Sequence, residues 1–242
     1  MPEDFKRYAI YFAPQRESPL ASLGNQWLGV DPGTGEVLDR PRIDGISSQD
    51  IKLITKAPSR YGFHGTLKPP FVLRDNRTLQ ELDINIQKLA EKVAPFDIPK
   101  MTVRALSDFL AIVPASPVET LNTLADRCVK ELDDYRKPAS DEEIIRRRKN
   151  LTARQEVLLM RWGYPFVMEE FRFHLTLTGR LSAAECAALE RKLTGYLATA
   201  LEEPVPVRDI CLFGDPGNDR PFRLLKRYPL RGGREVPEVE RL

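Results

Sequence analysis

Two short stretches decide how this chain is read: Tyr61-Gly-Phe-His-Gly-Thr-Leu-Lys-Pro-Pro-Phe71 and Phe171-Arg-Phe-His-Leu-Thr-Leu-Thr-Gly-Arg-Leu181. They hold the chain's only two histidines, His64 and His174, and both contain Phe-His-x-Thr-Leu. Aromatic and β-branched residues alternate with polar ones in each, as in a half-buried strand. Side chains alternate faces along a strand, so His64, Thr66 and Lys68 are expected on one side and Phe63, Gly65 and Leu67 on the other. By the same phase Arg172, His174, Thr176 and Thr178 point one way, and Phe173, Leu175 and Leu177 point into a core. Each strand is thus expected to be anchored by an apolar face while a polar face offers imidazole, hydroxyl and cation.

The segments after the two stretches also match. Thr78-Leu-Gln-Glu81 and Ser182-Ala-Ala-Glu185 have the hydroxyl–carboxylate spacing of a capping box. Leu82, Ile86, Leu89 and Val93 then form an apolar stripe at helical spacing, as do Leu189, Leu193, Leu197 and Leu201. Pro95 and Pro204 lie near the helix ends, and two strand-like runs come after each: 96–106 and 109–113, then 205–213 and 222–230. A β-α-β-β unit therefore occurs twice, each time opened by a strand bearing His-x-Thr. The expected fold is α+β: two pseudo-symmetric β-α-β-β lobes flanking a central cleft, with a helical insertion between them. The boundaries read as one two-lobed domain over 1–230, with a first lobe at about 60–115, a helical excursion at about 116–162 and a second lobe at about 168–230. A mobile, Gly- and Pro-rich tail is expected over 231–242.

The rest of the sequence adds limits. An N-terminal strand is expected over 7–13, and short helices with Pro/Gly turns over 15–59. Ser116-Pro-Val-Glu119 and Ser140-Asp-Glu-Glu143 are expected to start two further capped helices. Glu142 and Glu143 precede Arg146 and Arg147 by four residues, so the basic run 146–149 reads as a solvated helix face. With 37 basic and 35 acidic side chains and a net charge of +2 in 242 residues, the chain has no overall field to hold nucleic acid or anionic lipid. RNA is a conceivable partner but not the favoured one. Cys128, Cys186 and Cys211 are odd in number and lack CxxC spacing, which argues against a disulfide framework or structural zinc and for a reducing, cytoplasmic setting. No apolar run is long enough to span a bilayer, and the N-terminus has no secretory pattern.

Two imidazoles and two hydroxyls in matched positions suit displacement at phosphorus. One imidazole can take a proton from the attacking oxygen while the other gives one to the leaving oxygen. Hydroxyls and cations would hold the non-bridging oxygens, with no metal or other cofactor required. A metal site is disfavoured, since the motifs supply two imidazoles, no HExxH helix and no carboxylate partner. Lys68 and Arg172 enter as substrate-binding candidates from strand phase alone. Tyr11 and Tyr61 are candidates to stack on a base or sugar, with core packing as the other reading. Trp162-Gly-Tyr-Pro165 is a candidate lid near the second motif.

The paired motifs resemble those of the two-histidine phosphoesterase superfamily, which includes 2′–5′ RNA ligase-like proteins and cyclic nucleotide phosphodiesterases. The longer strings are similar to one bacterial branch, encoded beside phosphonate-utilisation genes, over a span from the first strand to about Leu230. That resemblance implies His64 and His174 as the catalytic pair and Thr66 and Thr176 as phosphate-contacting hydroxyls. It implies a metal-independent phosphodiesterase opening a cyclic phosphodiester on a ribose or nucleotide, such as a ribose 1,2-cyclic phosphate formed in phosphonate breakdown. Two other readings are an RNA-end enzyme (2′–5′ ligase or 2′,3′-cyclic phosphodiesterase) and a binding module that holds a phosphoribosyl ligand without turnover.

Overall fold

Alternate residues of β1 (Arg7–Phe12) go to opposite sides of a sheet. Tyr8, Ile10 and Phe12 enter the main core, while Ala9 and Tyr11 join a smaller cluster on the other face. The computed structural model describes residues 5–233. After β1 come α1 (Pro19–Leu28), α2 (Ser48–Ile54), α3 (Lys56–Ser59) and the first motif strand, β2 (Gly65–Phe71). The first repeat continues through α4 (Leu79–Glu91), β3 (Phe96–Ile98), β4 (Met101–Leu106) and β5 (Phe109–Pro114). The helical excursion holds α5 (Glu119–Glu131), α6 (Asp141–Arg147) and α7 (Ala153–Trp162). The second motif strand, β6 (Leu175–Thr176), is followed by α8 (Ala183–Tyr196), β7 (Val205–Val207), β8 (Asp209–Asp215) and β9 (Arg223–Pro229).

The local chemistry read from the sequence accounts for these starts and stops. Thr78 and Ser182 each complete a capping box, with Glu81 and Glu185 bonding back to the cap. Ser140 caps α6 through the Glu143 amide. At α5 the expected Ser116 cap is not used: the helix starts at Glu119 after extended Val118, with no side-chain cap. Both leucine-rich stripes are buried in the main core.

One antiparallel sheet of seven strands runs in the order β4-β5-β6-β2-β1-β8-β9, beside a two-stranded pair, β3-β7. The two motif strands are therefore neighbours at its centre, and their polar faces lie side by side. The α+β class and the repeated halves are present, but the halves in space are not the contiguous units of the sequence. The β4–β5 hairpin of the first repeat pairs with β6 of the second and packs against α8. The β8–β9 hairpin of the second repeat pairs through β1 toward β2, and β9 packs against α4. The crossing is made at β3 and β7, which pair with each other. At the end of the described chain Arg231 and Gly232 donate to Ala90 and Val93 at the end of α4. Of the tail expected over 231–242, all beyond Gly233 lies outside the described residues.

Candidate active site

β2 and β6 meet through a single pair, Gly65 opposite Leu175. In an antiparallel ladder that pair sets the neighbouring positions, so His64 stands opposite Thr176 and Thr66 opposite His174. All four occupy the face opposite to Gly65 and Leu175. They are half-buried, whereas Phe63, Gly65, Leu67, Phe173, Leu175 and Leu177 are buried. The imidazoles are thus diagonal neighbours, a relation that separates side chains by about 7–8 Å across a strand pair. That leaves room for a phosphorus centre between them. Gly65 makes the approach possible, because a Cβ there would lie 2.4 Å from the Phe173 ring.

The two imidazoles are held in the same way. Nδ1 of His64 lies 2.9 Å from the Gly62 carbonyl, and Nδ1 of His174 lies 2.7 Å from the Arg172 carbonyl. A carbonyl only accepts, so each Nδ1 carries a proton, and each neutral ring keeps its lone pair on Nε2. The Thr66 hydroxyl donates to Nε2 of His64 at 3.2 Å. Tyr11, across from Thr66 on β1, stacks on the His64 ring at 3.7 Å between centroids, and Phe109 stands 5.7 Å from the His174 ring. Burial pushes His64 down to about 4; the Gly62 carbonyl opposes this and the nearby charge of His174 adds to it. His174 is lowered as well, again by burial, with the Arg172 carbonyl opposing.

The remaining sequence candidates separate. Lys68 does not share the face of His64 and Thr66. Pairing with β1 shifts between Tyr11–Thr66 and Ile10–Lys68, so Leu67 is an extra residue in β2, and the alternation slips there. Lys68 is 2% exposed and turns to the helix side, where Nζ donates to the Val129 carbonyl at 3.1 Å and Asp133 at 3.4 Å. Arg172 is exposed, and what it brings to the site is its carbonyl, which holds His174. Tyr11 is buried on the face that carries His64, and Tyr61 is half-buried with its ring 6.4 Å from His64. In the segment 162–165, Trp162 and Gly163 line a pocket together with Lys68 of the first motif strand, and Tyr164 is within electrostatic reach of Tyr11 and Tyr61.

Arginines that sequence reading passed over border the same side of the sheet. Arg7 has the strand phase of Tyr11 and binds buried Asp215 through Nε at 2.9 Å and a terminal nitrogen at 2.6 Å. Arg60 reaches the same carboxylate at 3.2 Å and lies over the Tyr61 and Phe222 rings. The period-two phase of β1 was enough to find Arg7; nothing local marks Arg60. Among the described residues no three His, Cys, Asp or Glu side chains stand together as a metal-binding group, and the three cysteines are buried and unpaired.

A family model described as protein of unknown function (DUF1045) matches residues 66–223. The chain belongs to that family. Curated relatives include two proteins called ribose 1,5-bisphosphate phosphokinase PhnN. The one from Janthinobacterium sp. (strain Marseille) is 34% identical over 95% of this chain and 52% of its own length. The one from Laribacter hongkongensis (strain HLHK9) is 32% identical over 91% of this chain and 51% of its own. The chain thus spans about half the length of the curated relatives it matches. Solved structures similar to it include TT0787 of Thermus thermophilus, at TM-score 0.46 and 16% identity over 94% of this chain and all of that one. E. coli LigT complexed with 3′-AMP is similar at TM-score 0.43 and 12% identity, covering 94% of this chain and 99% of that one. In this DUF1045 chain the two His-x-Thr motifs stand on adjacent central strands of one sheet. No helix among its described residues is long and apolar enough to cross a membrane.

Proposed function

We propose that this chain is a metal-independent phosphodiesterase that opens a cyclic phosphodiester on a ribose. The observation that carries the proposal is the matched pair of Nδ1–H to carbonyl bonds on diagonally placed imidazoles, which leaves the Nε2 of each ring as its proton-transfer atom. Water attacks phosphorus as the endocyclic P–O bond breaks, giving a phosphomonoester and a free hydroxyl. His64, the more strongly depressed imidazole, is the base: when the pair holds one proton, that proton rests on His174. His174 then donates it to the departing alkoxide. Thr66, whose single hydroxyl proton turns from Nε2 of His64 to the substrate, and Thr176 each stand across from the other strand's histidine, hydrogen-bond the non-bridging oxygens and support the charge that develops there. The ribose phosphate in the names of the two curated relatives supports a sugar phosphate as substrate.

The test is a screen of ribose 1,2-cyclic and nucleoside 2′,3′-cyclic phosphates read by phosphorus NMR. Conversion of at least one to a monoester is expected. His64→Ala and His174→Ala should each slow it by at least about 10²-fold, the scale of a general acid or base. An activated aryl ester needs no acid, so on it His174→Ala should keep most activity while His64→Ala does not. Equal losses there would undo the assignment of roles, and no turnover of any cyclic phosphate would leave a binding module.

A further inference from the structure

Beyond Thr66 the edge of β2 is open on its β6 side, because β6 is two residues long and pairs with β2 only at Gly65. Pro69 and Pro70 suit such an edge, having no N–H to offer a neighbouring strand. A pocket of about 340 Å³ lies along this end of β2, lined by Lys68, Pro69, Pro70 and Phe71. Its lining includes Arg7, Lys68, Arg136, Lys137 and Arg147, against one carboxylate, Glu143. Lys137 is paired with Asp75 and Arg147 with Glu143. The other carboxylates are shared: Asp133 serves both Lys68 and Arg136, and Asp215 serves both Arg7 and Arg60. Asp219, fully exposed and 3.9 Å from Arg60, is too well solvated to offset this. The lining cations outnumber their carboxylates, and Arg60 behind Asp215 adds to the excess, so the pocket attracts an anion such as a phosphomonoester. Lys68 is the most telling member. Its ammonium donates to Val129 and Asp133 and lies over the Phe71 ring at 5.4 Å, which holds a positive charge at the pocket wall in a site almost closed to water.

We propose that this pocket binds a second, terminal phosphate of the substrate, so that the preferred substrate is a cyclic ribose phosphate that also carries a phosphomonoester. The placement fits: β2 carries Thr66 at the reacting phosphate and Pro69 at the pocket, and three strand residues cover about 10 Å, the scale of one pentose between two phosphates. Trp162 and Gly163 line the pocket, and the next residue, Tyr164, is within electrostatic reach of Tyr11 and Tyr61. Arg147, expected on a solvated face, turns inward to the Gly163 carbonyl and the Tyr164 ring.

This inference rests on the proposed phosphodiesterase reading, and the experiment separates the two. Ribose 1,2-cyclic phosphate is compared with its 5-phosphorylated form in the wild type, Lys68→Met and Arg136→Gln proteins, and binding of ribose 5-phosphate is measured by calorimetry in each. The phosphorylated substrate should have a kcat/KM at least about 10²-fold higher, the return of two or more charge-assisted hydrogen bonds. Each variant should remove most of that preference while changing kcat/KM for the unphosphorylated substrate less than about threefold. Should Lys68→Met not fold, Arg136→Gln carries the same comparison. Ribose 5-phosphate should bind the wild type and a His64→Ala/His174→Ala protein alike. Equal kcat/KM for both substrates overturns the proposal: with ribose 5-phosphate still bound the pocket serves a separate effector, and without binding it holds no phosphate. If no cyclic phosphate is turned over while Lys68-dependent binding persists, the phosphodiesterase reading fails and the phosphate pocket stands.

Discussion

At the scale of single residues the proposed reaction depends on one proton shared by two imidazoles. An exposed histidine titrates near 6.5, but burial has moved His64 to about 4 and lowered His174 as well. Below about 4 both rings are charged and the base is lost; above the proton affinity of His174 both are neutral and the acid is lost. The profile of kcat/KM should therefore be bell-shaped with its maximum between about pH 4 and 6.5, and the two limbs belong to the pair. Bound phosphate is anionic and favours the charged rings, so the kcat profile should lie at higher pH. A kcat/KM plateau extending from pH 7 to 9 would contradict this arrangement. Stability has a matching sign. Between about 6.5 and 4 the unfolded chain binds a proton that native His64 refuses, so the fold loses stability as pH falls through that window. Thermal unfolding should show a smaller drop between pH 7 and 5 in His64→Gln than in the wild type.

At the scale of elements, the meeting of β2 and β6 carries the site. It consists of one residue pair, and Gly65 leaves the Phe173 ring the space that lets the strands approach. Gly65→Ala should push them apart, with a loss of about 1–3 kcal/mol in denaturant-measured stability, the usual cost of overpacking. Activity should fall more steeply than stability, because the diagonal spacing of the imidazoles changes with the strand spacing. An alanine variant with normal turnover would show that the site tolerates a looser pair. No group of three potential metal ligands stands together among the described residues. Turnover is accordingly expected to survive EDTA, and loss on chelation that Zn²⁺ or Mn²⁺ restores would require another mechanism. The sequence made these elements legible through local rules: the capping boxes at Thr78 and Ser182 and the leucine stripes behind them stand where their spacing put them. It misplaced Lys68, because strand phase extrapolates only until a bulge, and an inserted residue such as Leu67 is visible only in the pairing with β1.

At the scale of the whole molecule, the exchange of hairpins makes the two repeats interdependent. Neither repeat holds a complete half-sheet, since β4–β5 lies beside β6 and β8–β9 lies beside β1. A fragment ending at residue 115 would expose the outer edge of β5 and lack the helix α8 that covers β4. It should show no cooperative unfolding alone, and fragments 1–115 and 116–242 should recover structure and turnover only when refolded together. A first fragment that unfolds cooperatively on its own would mean the halves are separable. Chain reversal between the halves also explains why β3 and β7 pair, as each leads its own hairpin to the other side.

What the amino-acid sequence determined by itself is whatever depends on neighbours within a few positions. That covers the strand character of the two motifs, their helices and caps, and the pairing of imidazole with hydroxyl at a spacing of two. From these the α+β class and the residues His64, Thr66, His174 and Thr176 could be named, because period and capping are local physics. The tertiary structure decided which strand lies beside which, and with it every relation between distant residues. The diagonal of the two histidines follows from the Gly65–Leu175 register, and the depressed proton affinity of His64 follows from burial under Tyr11. The turn of Lys68 to the helix side and the gathering of Arg7, Arg136 and Arg147 around one pocket follow from contacts between residues far apart in the chain. No local periodicity encodes such contacts, since they arise only when the hairpins have crossed and the sheet has closed around its two central strands.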